Sequence, residues 1–360
     1  MGWLFGGYFT DETSHEGEVF YLTDPVAHTV LYNGPNLGAS RNPTTYREFA
    51  AFANFDYHFT PTVDASVGGR YSHNDQTYHE IAPGLFGGGE DFGETSSEGV
   101  FTYSADVRWH VAPNTMTYAR IATGFVPGGP NDIVPTITFL PKSYKSSTTT
   151  NYEMGIKSTL LDERLAIGAD IYYIDWRDIQ LEVLQSGYTS LTNGGTAASE
   201  GIEWDFKYVP VHGLTLSFNG DYDKARMTET TATTLALNAV DGDRLPYVPE
   251  WQMSAGAEYW WPLFGSYSGF VGGSWRFNSS RLVDFTTVGN RPEVPSFNFF
   301  DARAGVEKDR WTVAAYVKNI GNEIAYSGLF AWNPTSSGSG IQSAALYTPR
   351  TYGLELTMTF

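Results

Sequence analysis

Leu214-Thr215-Leu216-Ser217-Phe218-Asn219-Gly220-Asp221-Tyr222 places its apolar residues on even numbers and its polar residues on odd numbers. Side chains of a strand alternate between faces with a period of 2, so this stretch predicts a β-strand with one greasy face and one wet face. The same alternation recurs on both sides of it. Phe101, Tyr103, Ala105, Val107 and Trp109 oppose Thr102, Ser104, Asp106, Arg108 and His110, and Ile202, Trp204, Phe206 and Tyr208 oppose Glu203, Asp205 and Lys207. It returns in residues 165–173, 251–259, 302–306 and 311–317, and cleanly in Tyr352-Gly353-Leu354-Glu355-Leu356-Thr357-Met358-Thr359-Phe360. No stretch shows the 3.6-residue amphipathicity of a surface helix.

A soluble β-sandwich also alternates, because its strands bury one face. Two features favour a membrane. The apolar faces run about nine or ten residues and carry Trp, Tyr and Phe near their ends, as aromatic girdles at two lipid interfaces require. The opposite faces hold Asp, Glu, Arg and Lys in mid-strand, which a dry core rejects and a water-filled lumen accepts. Composition agrees: of 360 residues only 17% are charged while 16% are aromatic, against a usual charged share of about 25%. No apolar run approaches the roughly 20 residues of a membrane helix. The expected fold is therefore all-β, a transmembrane antiparallel β-barrel. Twenty-two Lys plus Arg against 40 Asp plus Glu give a net charge of −18, which argues against nucleic acid as a partner. The absence of cysteine excludes disulfides, thiolate catalysis and Cys-ligated metals. The opening residues, from Met1 to Thr10, carry no basic region, sustained apolar stretch or cleavage site, so the reading expects no signal peptide in this chain.

Connections alternate in length. Short turn-like links sit at Phe59-Thr60-Pro61-Thr62, Val111-Ala112-Pro113-Asn114, Leu161-Asp162-Glu163, Val209-Pro210-Val211-His212-Gly213, Pro262-Leu263-Phe264-Gly265 and Lys308-Asp309. Long Gly/Ser/Thr/Asn-rich stretches occupy 11–44, 74–97, 125–147, 177–198, 227–245, 279–295 and 325–346. Outer-membrane barrels have short periplasmic turns and long extracellular loops, so the long stretches should face outward and about 14 strands should be present.

Several runs resemble the barrel of TonB-dependent outer-membrane receptors. They are Tyr118-Ala119-Arg120-Ile121-Ala122-Thr123-Gly124-Phe125-Val126-Pro127-Gly128-Gly129, Thr150-Asn151-Tyr152-Glu153-Met154-Gly155-Ile156-Lys157-Ser158 and Ala169-Asp170-Ile171-Tyr172-Tyr173-Ile174-Asp175-Trp176-Arg177-Asp178-Ile179-Gln180. Ser199-Glu200-Gly201-Ile202-Glu203, Leu245-Pro246-Tyr247-Val248-Pro249-Glu250-Trp251, Tyr316-Val317-Lys318-Asn319-Ile320-Gly321-Asn322 and the terminal Phe360 continue the series in the family's order. The resemblance implies a plugged barrel of about 22 strands that takes up scarce ligands such as ferric siderophores with energy from the TonB complex. Set against it, residues 1–360 are expected to be one partial barrel domain lacking the plug, the TonB-contacting segment and roughly the first eight strands.

The resemblance also names partners: outer-membrane lipid and lipopolysaccharide, the barrel-insertion machinery reading the Phe360 strand, a small-molecule ligand such as a ferric siderophore, and TonB only where a plug is supplied. No cofactor is expected. Ligand contacts should come from aromatic and Arg side chains of the outer loops and upper lumen, because rings give area at little entropic cost and Arg offers a planar fork. The candidates are Tyr144, Trp176, Arg177, Arg281, Phe285, Phe330 and Trp332. His73, Asp75, His79 and Glu80 form a donor-rich group read as a solvated rim loop, since its spacing matches no standard metal motif. His15 and His28 are isolated. The glycine-rich stretch 84–93 reads as a flexible loop. No nucleophile elbow, HExxH or P-loop is present, and His110 on a wet strand face reads as lumenal lining, so no enzyme is expected. Two alternatives to a receptor barrel stay open: a self-contained porin-like channel of about 14 strands, and a non-transporting fragment.

Overall fold

The structure is a computed structural model of the 360-residue chain. It describes all residues except 20–21, 25, 33–37, 84–89, 133–137, 186–187, 286–292, 333–340 and 360, and omits the side chains of 32, 90, 184, 185, 188, 330–332 and 341–343.

Fourteen strands make one antiparallel sheet in unbroken sequence order. They are β1 Gly2–Val19, β2 Ala39–Thr60, β3 Val63–Ala82, β4 Glu90–Ala112, β5 Thr115–Val126, β6 Ser147–Leu160 and β7 Leu165–Arg177, then β8 Thr196–Tyr208, β9 Leu214–Met227, β10 Trp251–Pro262, β11 Tyr267–Asn278, β12 Phe297–Lys308, β13 Trp311–Lys318 and β14 Thr351–Met358. Register keeps the sequence alternation coherent from strand to strand. Val107 lies opposite Ala119, Ala119 opposite Met154, Met154 opposite Ile171, Ile171 opposite Ile202, Ile202 opposite Tyr222 and Tyr222 opposite Trp251. One position along, Asp106 faces Arg120, Arg120 faces Glu153, Asp170 faces Glu203 and Glu203 faces Asp221. A slip of one residue would exchange the two rows, so burial against lipid fixes the register.

The apolar face has no protein partner. Phe101 is 63% exposed, Met154 61% and Leu356 65%. A continuous surface of that size is untenable in water and is what hydrocarbon covers. Among the described residues no helix is long and apolar enough to cross a membrane; the strands do the crossing.

The six short links are turns, as the sequence indicates. The one at residues 161–164 holds Leu161, Asp162 and Glu163 at φ of 55°, 54° and 66°, and Arg164 closes it by donating its amide and Nε to the Leu161 carbonyl at 3.3 and 3.0 Å. Gly213, at φ 86°, and Gly265, at φ 56°, supply the left-handed residue in two others.

Two of the long stretches are shorter as loops than the sequence suggests. Residues 11–19 pair with 39–47, and 74–82 pair with 90–98, so β1 to β4 continue as strand well past their amphipathic part. There both faces are polar, the period-2 contrast vanishes, and only backbone pairing carries the strand on. The stretch 84–93 is divided: 84–89 fall outside the described residues, and 90–93 are strand. A short helix, α1 Ala232–Ala236, sits in the loop after β9, capped by Thr231 accepting from the Thr234 amide at 3.2 Å.

Among the described residues, β1 pairs only with β2 and β14 only with β13, so the sheet is open.

Candidate functional site

The polar face of the sheet is the first component. Toward the short-turn end of β2 to β4 its charges are matched: Arg108 Nε lies 2.6 Å from Asp64 and within 3.9 Å of Asp106, and His110 Nε2 is 3.5 Å from the same Asp64. Higher on these strands Arg70 pairs with Glu48 at 2.6 Å and covers the ring of Tyr8. The middle of the face differs. Asp170, Glu203 and Asp221 stand directly opposite one another on β7, β8 and β9, and the ion pairs among the described residues include none of them. Neighbouring like charges across strands are destabilising. Lys157 on β6 and Arg276 on β11 border this row, but none of the three carboxylates stands opposite a cation in the ladder.

The second component roofs the long-loop end. Inward-facing Ala197, Ala225 and Met227 leave the wall and meet Ile179, Ala239, Leu245 and Phe285 from three different loops in one buried cluster, with Trp176, Leu181, Leu237 and Val248 packed against it. These residues are as buried as any in the molecule; Met227, Ala197 and Ala239 are 0% exposed.

Two neighbouring loops, 127–146 and 178–195, are stitched by side-chain amides. Buried Asn131 donates to the carbonyls of Pro141 and Leu191 and accepts from the Leu191 amide at 2.9 Å. Asn193 accepts from the Lys145 amide at 2.8 Å and donates to the carbonyls of Lys145 and Asp178. Gln180 donates to the Pro127 and Lys145 carbonyls. Glu98 on β4 fastens the block to the wall, accepting from the amides of Gly128 at 2.6 Å and Ser146 at 3.0 Å.

The seven sequence-derived candidates divide among these settings. Trp176 and Phe285 come together in the shared loop cluster, with the Trp176 indole donating to Ser147 Oγ. Arg281 lies next along the chain, buried at 6% exposure. Arg177 points the other way: it follows Tyr173 and Asp175 on the apolar-face side of β7, is exposed, and pairs with Asp175 at 2.8 Å. Tyr144 is half-buried beside Gly129 and Gln76 in the separate amide-stitched block; burial, then the charge of Glu98, pushes its hydroxyl pKa up. Phe330 and Trp332 fall in the strand Tyr326–Trp332, but their side chains lie outside the described residues. So does the terminal Phe360.

The donor-rich group at 73–80 is not a loop but part of β3, and alternation splits it. His73 is 3.7 Å from Asp75 and His79 is 2.7 Å from Asp91 on one face, while Glu80 shares the other with Tyr78, whose hydroxyl donates to it at 3.2 Å. Sequence reading missed Glu98, Asn131, Asn193 and Tyr247. Glu98 alone carried a visible signal, its place on the wet side of the Phe101 alternation.

The remaining latch joins the loops 228–250, 279–296 and 319–350. Tyr247, at φ 62°, donates its amide to the Leu282 carbonyl at 2.7 Å and its hydroxyl to the Leu329 carbonyl at 2.8 Å. Burial, then Asp284, raises its pKa against the opposing charge of Arg281. Together the parts make a polar sheet face with a packed loop cluster at its long-loop end.

Residues 2–320 match the family model described as TonB dependent receptor-like, beta-barrel. The chain is 28% identical over 225 residues, 61% of its length, to the pesticin receptor of Yersinia enterocolitica, covering 32% of that protein. It superposes on the ferric yersiniabactin uptake receptor of Yersinia pestis with a TM-score of 0.80 and 21% identity, over 99% of this chain and 51% of that one. It superposes on the copper transporter OprC with a TM-score of 0.67 and 15% identity, over 98% and 54%. The chain thus spans about half the length of the receptors whose fold it shares, and a third of the pesticin receptor.

Proposed function

The chain belongs to the TonB-dependent receptor-like β-barrel family, and from that premise we propose that it forms part of the wall of an outer-membrane receptor for TonB-energised uptake of a scarce ligand, a ferric siderophore or other iron complex. The observation that carries the reading is the division of the sheet: one face apolar along the middle and short-turn end of the strands, the other polar and roofed at the long-loop end by a packed cluster. A receptor needs this combination, lipid outside and a selective mouth over a wet interior. The predominantly acidic row Asp170, Glu203 and Asp221 is compatible with an interior body carrying cationic groups, the role a plug would fill. TonB is then a partner through that plug, lipid and lipopolysaccharide through the apolar face, and the insertion machinery through the strand that ends in Phe360. Long loops face outward in this reading. Iron is favoured over copper because the ferric yersiniabactin uptake receptor superposes with a TM-score of 0.80 against 0.67 for the copper transporter. No catalytic role is assigned: His110 is engaged with Asp64, and the buried loop candidates serve packing.

Uptake of radioactive iron by cells carrying the complete gene tests this. Supply as the ferric complexes of yersiniabactin-like, catecholate and citrate chelators should give accumulation that disappears on deletion of the gene and on loss of TonB. Accumulation that survives loss of TonB, together with passive leakage of unrelated small solutes, would instead identify a diffusion channel.

A further inference from the structure

On the apolar face the outward residues of β5 are small where their neighbours are large. Thr117 stands between Trp109 on β4 and Ile156 on β6, and Ala119 stands between Val107 and Met154. Ala105 on β4, opposite Ile121, continues this low course. The result is two adjoining hollows of about 460 and 650 Å³ that share Val107, Ala119, Met154 and Ile171. The side chains that wall them stand well out, Trp109 at 55% exposure and Met154 at 61%. These walls belong to alternate strands, whose backbones lie about 9.5 Å apart, so their side chains leave a slot for one hydrocarbon chain. A helix of about 10 Å diameter does not enter it, and a second sheet would lie across its rims.

The foot of the slot is polar. Thr115 and Ser158, one step toward the short turns, hydrogen-bond to each other at 2.7 Å. The Thr117 hydroxyl above them has no hydrogen-bond partner among the described residues. A hydroxyl turned to hydrocarbon without an acceptor is costly, and the Trp109 ring opposite it is of the kind that marks a membrane interface.

We propose that this slot holds one acyl chain of a phospholipid from the leaflet at the short-turn end. Its methylenes run along Thr117, Ala119 and Ala105, and its ester carbonyl accepts from the Thr117 hydroxyl. The inference rests on the lipid-facing reading of the apolar face and adds to it a lipid held in one place. Lipopolysaccharide, on the long-loop side in that reading, is not positioned to supply the chain.

The test uses the complete receptor in vesicles of phosphatidylethanolamine that carries a photoactivatable group in one acyl chain, with adducts mapped by mass spectrometry. Residues 105–121 and 152–156 should carry about threefold more label than 214–222 and 251–259, which face lipid elsewhere on the wall, the preference that one hydrogen bond confers. Ala119→Leu fills the slot with hydrocarbon and Thr117→Val removes the donor, and each should abolish that excess. Ala304→Leu, on the same face between Val271 and Ala315, should leave it intact. Heat-modifiable migration equal to wild type shows that each variant is folded. Label spread evenly over the apolar face, or an excess that survives Ala119→Leu or Thr117→Val, would overturn the proposal. So would a slot shielded from label in a receptor whose Ala119→Cys variant crosslinks to a second copy. TonB-dependent iron uptake that persists in those cases leaves the receptor reading standing, so the two can fail separately.

Discussion

Leu356→Arg is expected to destabilise the folded wall by about 2–4 kcal/mol, the range for a cation on the lipid face near mid-membrane. Leu356 lies opposite Val313 on β13, is 65% exposed on the apolar face, and has Leu354 and Met358 beside it on that face. The neighbouring Thr357 faces the other way, opposite Thr312, with its hydroxyl donating to Glu355 at 3.4 Å. An Arg there enters a wet interior and meets a carboxylate, so Thr357→Arg should cost under about 1 kcal/mol. Urea titration of folding into lipid vesicles measures both. Equal losses would mean that the two faces are not lipid and water.

Met227→Ala should have an effect of similar size at a different place. Met227 is 0% exposed and joins strand β9 to residues of three loops through Ile179, Ala239, Leu245 and Phe285. Truncating a fully buried methionine typically costs about 2–5 kcal/mol, in transfer free energy plus the cavity left behind. Here that cost falls on the loop roof and not on the wall, whose ladder hydrogen bonds are untouched. Amide exchange and protease nicking in 228–250 should accelerate strongly while β8 and β10 stay protected. Loss of protection in the wall as well would show that roof and wall are one cooperative unit, and unchanged loops would show that the cluster does not hold them.

How much of this was legible in the sequence depends on whether the information is local. The alternation of 214–222 and its repeats gave the strands, their facing and the turns, because a lipid face and a wet face differ in residue type at every step. Where that contrast stops, so did the reading: residues 11–19 and 74–82 pair as strand although neither side meets lipid. Arg177 illustrates a signal that was present but unused. Counting from Tyr173 puts Arg177 on the outward side and Trp176 on the inward side, as the structure has them. The loop roof was not legible, since Ile179, Met227 and Phe285 meet only through the fold. The same holds for Asn131 and Asn193, ordinary polar loop residues until the opposing carbonyls are seen.

The account stands or falls on the chain being a segment of a larger receptor wall and not a channel closed on itself. Each outermost strand is paired on one side only, and unpaired backbone in lipid costs several kcal/mol per group, so the account expects further strands beside β1 and β14. Closure on 14 strands would demand matching shear and circumference, for which the open sheet gives no sign. Cysteines placed at Phe5 and Leu354, on the two edges of a chain that has none of its own, measure this directly. The account predicts no intramolecular crosslink between them in the membrane; efficient crosslinking, with heat-modifiable migration on a gel, would contradict it and establish a self-closed barrel.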